Sequence, residues 1–250
     1  MARSADGRNN RHRQGRRAAG WLVMALALAG CTTTQHAAQR ERLDSARQRA
    51  ALEPTRVTAV NPLVPVTSVS AIRSAHGTAL VVTVRNRGRR AISDLPISVG
   101  YTSAGRSVLL NSGTSLGYFQ AHLPAILAGH ALTWVFTTGR RIPTWARPFA
   151  RVGRRPAAPA LLTEMKFRIG LDYRPSAGAQ ELTVKLENPT SVPQYELQVY
   201  AYARQDGRYV AAADATVPEL GAGAADRLRL RLIGIPTNQL RVQAVPTILQ

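Results

Sequence analysis

The chain has 250 residues, 45% of them hydrophobic, with 33 Lys+Arg against 14 Asp+Glu and a formal net charge of +19. That length and apolar content support one or two cores and exclude a wholly disordered chain. A single Cys excludes an intramolecular disulfide, and no apolar stretch approaches the roughly 20 residues of a membrane-spanning helix. In residues 1–30 six Arg face one acid, Asp6, a local balance of +5, and residues 18–30 are all apolar or small. A basic start, a short apolar run and small residues before a cleavage point make the pattern of an export signal.

The run closes on Leu28-Ala29-Gly30-Cys31. These residues resemble the lipobox of the bacterial lipoproteins, which reads Leu, a small residue, Gly or Ala, then Cys. The resemblance implies diacylglycerol transfer to the Cys31 thiol and cleavage after Gly30. The mature chain would then begin at Cys31, anchored by lipid to the outer side of the bacterial cell membrane. Arg16-Arg17 leaves twin-arginine export open beside the general route. Residues 31–56 read as a tether: the stretch 35–55 is rich in Ala, Arg and Gln and lacks Gly, which favours helix. Its only large apolar residues are Leu43 and Leu52, so a solvated stalk fits better than a helix lying in the lipid interface.

From Val57 onward short alternating runs are separated by Gly, Pro and Asn, the mark of antiparallel strands. Leu80, Val82 and Val84 alternate with Val81, Thr83 and Arg85 before Asn86, and Leu182, Val184 and Leu186 alternate with Thr183, Lys185 and Glu187 before Asn188. The offset of 102 persists for almost thirty residues: Leu95 maps onto Leu197, Ile97 onto Val199, Gly105-Arg106 onto Gly207-Arg208 and Val108 onto Val210. Further on, Leu127 aligns with Leu220 at an offset of 93, which gives the first copy nine extra residues around 111–120.

Each copy, close to 100 residues with about seven short strands, has the size of an immunoglobulin-like β-sandwich. The shared phrase of alternating strand, Asn turn, second strand and Gly turn resembles the bacterial extracellular immunoglobulin-like domains of the CARDB and FxLYD type. Where an FxLYD domain has Leu-Tyr-Asp before the Gly turn, this chain has Tyr200-Ala201-Tyr202-Ala203-Arg204. The expected architecture is all-β: a signal peptide at 1–30, a helical tether at 31–56, a basic sandwich at 57–153, a linker at 154–161 and a second sandwich at 162–250. The short, Pro-containing linker predicts an extended pair of domains with a restricted hinge.

Motifs for catalysis do not find their context. Gly113-Thr114-Ser115-Leu116-Gly117 fits the G-x-S-x-G elbow of hydrolases, but no His follows His130 and no acid lies between Ser115 and Glu164. Gly221-Ala222-Gly223 leads into a strand pattern, where phosphate binding needs a helix. The five His are scattered without metal-ligand spacing, so neither a metal nor another cofactor is expected, and the chain reads as no enzyme.

Three features point to interactions. Residues 54–163 carry 13 Arg and one acid, Asp94, a balance of +12, while residues 164–250 balance at +1. This charge, with Arg85, Arg87, Arg89 and Arg90 close together, suits anionic lipid headgroups or an acidic wall polymer. The plainer alternative is a coding bias toward Arg on solvated faces. Tyr118 and Phe119 in the extra loop are either aromatic anchors or caps on the core. Tyr200 and Tyr202, on the face opposite Leu197, Val199 and Ala201, are either an outward surface or a contact between the two copies. The sequence is therefore expected to encode a lipid-anchored, non-catalytic interaction or scaffold module with an envelope protein as partner. An accessory or solute-binding lipoprotein is the alternative. Nucleic acid is an unsuitable partner because export separates the chain from the cell's own pools.

Overall fold

Residues 37, 41, 44, 57–113, 116–154, 166–172 and 180–247 are described by a computed structural model. The export signal, the lipobox residues Leu28, Ala29, Gly30 and Cys31, the serine at 115 and linker residues 155–161 lie outside the described residues. In the tether, Ala37, Glu41 and Asp44 are helical and exposed.

The first copy forms β1 (Val66–Ser74), β2 (Gly77–Arg85), β3 (Leu95–Ser103), β4 (Arg106–Leu109), β5 (His122–Leu123), β6 (Ala131–Thr138) and β7 (Arg147–Val152). The second forms β8 (Arg168–Asp172), β9 (Glu181–Glu187), β10 (Gln194–Gln205), β11 (Arg208–Leu220), β12 (Ala225–Arg231), β13 (Ile233–Gly234) and β14 (Leu240–Val245). In copy one the sheet β1-β2-β6 faces a sheet in which β3 carries β4, β5 and β7. In copy two β8-β9-β12 faces β13-β11-β10-β14, with β11 standing where β4 and β5 stand in the first. The chain is all-β, two tandem immunoglobulin-like β-sandwiches, as the alternating runs predict.

The repeat is written into the backbone. The two-residue turns Ala104-Gly105 and Asp206-Gly207 have φ of 48° and 74° in one copy and 49° and 76° in the other. Two positive φ values give the turn twist that matches flanking strands. Asp94 and Glu196, also 102 apart, are left-handed as well, at 62° and 54°. The Asn at each strand end does one job twice. The Asn86 amide Nδ2 reaches the carbonyls of Arg90 (2.8 Å), Ile126 (3.1 Å) and Leu127 (3.3 Å), while its Oδ1 accepts the Gly88 N–H (2.8 Å). Asn188 Nδ2 reaches Val192 (2.8 Å), Leu220 (3.3 Å) and Gly221 (3.1 Å), and its Oδ1 accepts the Thr190 N–H (3.1 Å).

These bonds correct the register read from the sequence. The carbonyl that answers Leu220 is that of Ile126, and Gly221 answers Leu127, so the offset after the extra loop is 94 and the insertion has eight residues. Matching the two leucines misplaced it by one, because the shared feature is a backbone carbonyl and not a side chain. The left-handed Gly129 and Gly223, 94 apart, agree.

The extended pair predicted from the linker does not form. Every residue of β2 from Gly77 to Val82 is buried, so both faces of that strand are covered. Leu80, Val82 and Val84 pair across to Phe136, Trp134 and Leu132. On the opposite face Ile72, Ala79, Val81 and Val135 join Tyr200, Ala212, Ile233 and Val245 of the second sandwich in one continuous cluster. Four sheets therefore stack, with β1-β2-β6 and β13-β11-β10-β14 as the inner layers. Apolar area on both faces of the inner sheets drives this, at about 25 cal/mol per Å² removed from water. The second sandwich keeps its own core of Leu182, Val184, Leu186, Leu197, Val199, Ala201, Val217 and Leu230.

A polar row crosses the seam. Tyr200 lies opposite Asp214 on β11 and Gln243 on β14. Asp214 Oδ1 accepts the Thr137 N–H (3.0 Å) and its hydroxyl, and Oδ2 accepts from Gln120 Nε2 (3.3 Å). Gln243 Nε2 donates to the Thr133 carbonyl (2.7 Å). β6 is a terminal strand of its sheet, so these side chains satisfy backbone groups at an edge. Protein crowds the half-buried Asp214, and this desolvation pushes its carboxyl above the usual carboxylate range, against the downward pull of Thr137 and Gln120. Burial, and then the Asp214 charge, push the Tyr200 phenol well above its ordinary value. The Tyr200 hydroxyl has no hydrogen-bond partner among the described residues.

Three substitutions test these contacts. Asn188→Ala strands three backbone carbonyls and is expected to destabilise the protein by about 3 kcal/mol in denaturant titration. The raised Asp214 pKa gives stability that is fully present below the unfolded value of about 3.9 and is lost as pH rises through the folded value. The melting temperature of Asp214→Asn relative to the parent should therefore climb between acid and neutral pH. A flat difference would show that the carboxyl titrates as it does in the unfolded chain. Tyr200→Phe, which removes an unpaired hydroxyl, should be neutral or stabilising at every pH.

Candidate functional site

The end of the first sandwich at which residue 57 enters is built as a rigid platform. Buried Val57 donates its N–H to Ser98 Oγ (2.9 Å), and the Asn61 N–H bonds the Val152 carbonyl (2.8 Å). The loop after β2 is pinned to this entering segment, because Arg87 N–H donates to the Leu63 carbonyl (2.8 Å) and Asn86 closes the loop onto Arg90. Arg154 Nε donates to the Val60 carbonyl (3.1 Å). Arg87 and Arg154 are thereby tied to the segment that carries Val60 and Leu63, each 53% exposed, and exposed Arg85, Arg89 and Arg90 belong to the same strand end and loop.

Among the described residues none of these guanidiniums is paired with a carboxylate. The outer sheet of the second sandwich is different. There Arg168 bonds Glu187 at 3.0 Å and Arg231 stands opposite Glu181. That sheet is a solvated face of mixed sign. The platform is a surface of one sign that also carries exposed apolar side chains.

The aromatic candidates are not at the surface. Tyr118 and Phe119 are 7% and 5% exposed. Tyr118 stacks on His122 with centroids 4.1 Å apart, meets Phe119 edge-on and donates its hydroxyl to Asp94. Trp134 Nε1 donates to the Phe119 carbonyl (3.2 Å). The insertion is held by buried Asn111, which takes the Val99 N–H (2.9 Å) and gives its amide to the Ile97 (2.8 Å) and Gln120 (3.0 Å) carbonyls. It thus joins β4 to β5, which together stand where β11 runs in copy two, and Tyr118 and Phe119 cap the core. Tyr200, 1% exposed, is sealed in the seam between the sandwiches, so it offers no outward surface. Tyr202 is half-buried and meets Tyr209 edge-on at 5.7 Å.

Two residues that matter were not singled out from the sequence. Asp214 had a signal, as the one acid within the small apolar run Ala211-Ala212-Ala213-Asp214-Ala215. Trp145 reads as the start of β7, yet it sits just before that strand and is 76% exposed. Among the described residues no three His, Cys, Asp or Glu side chains gather as metal ligands, and no helix is long and apolar enough to cross a membrane.

No protein-family model and no curated protein matches the chain. Among solved structures, it is similar to the crystal structure of red sea bream transglutaminase at 12% identity and a TM-score of 0.20. The match takes in 78% of this chain and 32% of that one. A likeness this faint carries no argument about activity, and the reading of function rests on the residues themselves.

Proposed function

We propose that the protein is a lipid-anchored component of the bacterial cell envelope, held through Cys31, that acts as a non-catalytic interaction or scaffold module. Its first sandwich faces the membrane with the platform of Arg87, Arg89, Arg90 and Arg154. The observation that carries this reading is the platform's composition: among the described residues, exposed guanidiniums without carboxylate partners share with exposed Val60 and Leu63 the end at which residue 57 enters. Guanidiniums fork onto lipid phosphates, and apolar side chains among them add contact with the headgroup boundary. The lipobox pattern supports the anchor, since the diacylglycerol it implies carries two acyl chains, enough for stable attachment, and the basic patch adds electrostatic contact with anionic headgroups. The resemblance to CARDB and FxLYD domains fits an extracellular module whose partner is an envelope protein.

Two measurements test it. Cys31→Ser should abolish incorporation of labelled fatty acid and release the chain from membranes; a variant that is still labelled and still membrane-bound removes the lipoprotein reading. The full chain should bind phosphatidylglycerol vesicles with a steep salt dependence. Replacing Arg87, Arg89 and Arg90 together by Gln should weaken that binding on the order of a hundredfold, each cation near an anionic surface being worth about 1 kcal/mol. Undiminished binding by the triple variant would leave the Arg content as coding bias.

A further inference from the structure

The opposite end of the first sandwich is also built. β2 runs from one end to the other, and its nine residues span about 27 Å. At the far end three connections meet: the β1–β2 turn, the Ala104-Gly105 turn and residues 139–146. Trp145 stands out from the last of these, 76% exposed, and its indole Nε1 donates to Ser103 Oγ (3.2 Å). That bond fixes the ring, so it presents a set face instead of sweeping through solvent.

The surrounding backbone is held by two arginines. Arg73 Nη2 donates to the Ala146 carbonyl (2.8 Å), and Arg141 donates to the Ala75 carbonyl through Nε (3.2 Å) and Nη2 (2.6 Å). Three more have no side-chain partner among the described residues. Arg106 lies directly opposite Ser103 across β3–β4, Arg147 lies opposite Thr102 across β3–β7, and Arg140 begins the connection. All three are exposed, and among the described residues none of them meets a carboxylate.

We infer that this end, centred on Trp145 with Arg106, Arg140 and Arg147, binds an anionic carbohydrate polymer. An oriented indole offers an apolar plane for the C–H face of a sugar ring, and guanidiniums beside it offer paired donors for the carboxylate or phosphate that a charged sugar carries. A polymer of repeated negative charge suits a surface of one sign, where a single small anion would engage only one fork. A lipid surface fits less well. Among the described residues of the first sandwich, the other exposed large hydrophobics, Val60 and Leu63, are at the opposite end. Its N–H is also already spent on Ser103. The orientation away from the membrane rests on the proposed anchoring, whereas the binding itself does not. The two ends would let one molecule join the membrane to an acidic polymer of the envelope.

The test uses the full chain in neutral detergent with polygalacturonate and an uncharged dextran as probes, read by indole fluorescence and by sedimentation with the polymer. Polygalacturonate should bind and dextran should not. Trp145→Ala, and separately Arg106, Arg140 and Arg147 all changed to Gln, should each weaken polygalacturonate binding by about tenfold or more, as expected for a central aromatic or charged anchor. Both variants should keep the parent melting temperature, since the substituted groups are exposed. The Arg87, Arg89 and Arg90 triple variant should bind polygalacturonate as the parent does while losing vesicle binding. Equal binding by Trp145→Ala, equal binding of dextran, or an equal loss in the two arginine triples would overturn the inference. A loss of phosphatidylglycerol vesicle binding in Trp145→Ala would overturn it in favour of a lipid surface. Because the platform variant and the Trp145 variant are read on different probes, failure of one reading leaves the other standing.

Discussion

A strand that is apolar on both faces cannot be covered by one partner sheet. β2 is such a strand: Leu80, Val82 and Val84 fill the core of the first sandwich, and Ala79 and Val81 remain to be buried on the other side. The second sandwich supplies that cover with Tyr200, Ala212, Ile233 and Val245. Most of what is distinctive in the molecule follows from this layer. The inner sheets lose solvent on both faces, so charged residues of the first copy are displaced to its ends and outer sheet. The terminal strand β6 is placed beside the second sandwich, and its backbone is answered by Asp214 and Gln243. Close approach also fixes Gly234, where a Cβ would come within 2.8 Å of Ile72 Cγ2 and 2.0 Å of the Val210 carbonyl, at a φ of +98°. Only glycine accepts that backbone and that crowding.

Within each sandwich the organising device is a single Asn whose amide gathers carbonyls from two loops. Asn86 and Asn188 are both fully buried, and a buried amide that bonds three carbonyls and one N–H leaves the turn little freedom. In the first copy this rigidity reaches the arginines. The loop it closes is the one that carries Arg87, Arg89 and Arg90, so those cations are held on a fixed scaffold. The eight-residue insertion serves the packing of the layers. It caps the core with Tyr118 and Phe119 and sends Gln120 across the seam to Asp214.

The sequence made the strands, the repeat and the Asn turns legible because each has a local signature: period-two alternation, a recurring Gly turn, an Asn after the last apolar residue. It hid the stacking of the sandwiches because that depends on pairing of distant faces. A signal was nonetheless present. Leu182-Thr183-Val184-Lys185-Leu186-Glu187 alternates strictly, and β9 has one wet face. Ala79-Leu80-Val81-Val82-Thr83-Val84 is nearly unbroken, the pattern of a strand buried on both sides. Reading β2 by its alternation alone missed Val81. The exposure of Trp145 had no comparable mark, since an aromatic residue beside a strand is more often core.

Arg dominates Lys throughout the chain, 31 to two, so a coding bias acts on both sandwiches alike. What differs is the placement of acids. In the second sandwich Glu181, Glu187 and Asp226 are set among the arginines of its outer sheet, where Arg168 bonds Glu187 and Arg231 stands opposite Glu181, so that sheet carries both signs. In the first, Asp94 is the sole acid over residues 54–163, and it is occupied with the Tyr118 hydroxyl inside the cap. A bias toward Arg explains the identity of the cations in both copies but not the scarcity of acids in the first. Left unopposed, so many like charges repel one another and weaken the compact state. That this repulsion is kept at two ends, each with exposed apolar side chains, supports the proposal that these surfaces meet anions outside the chain.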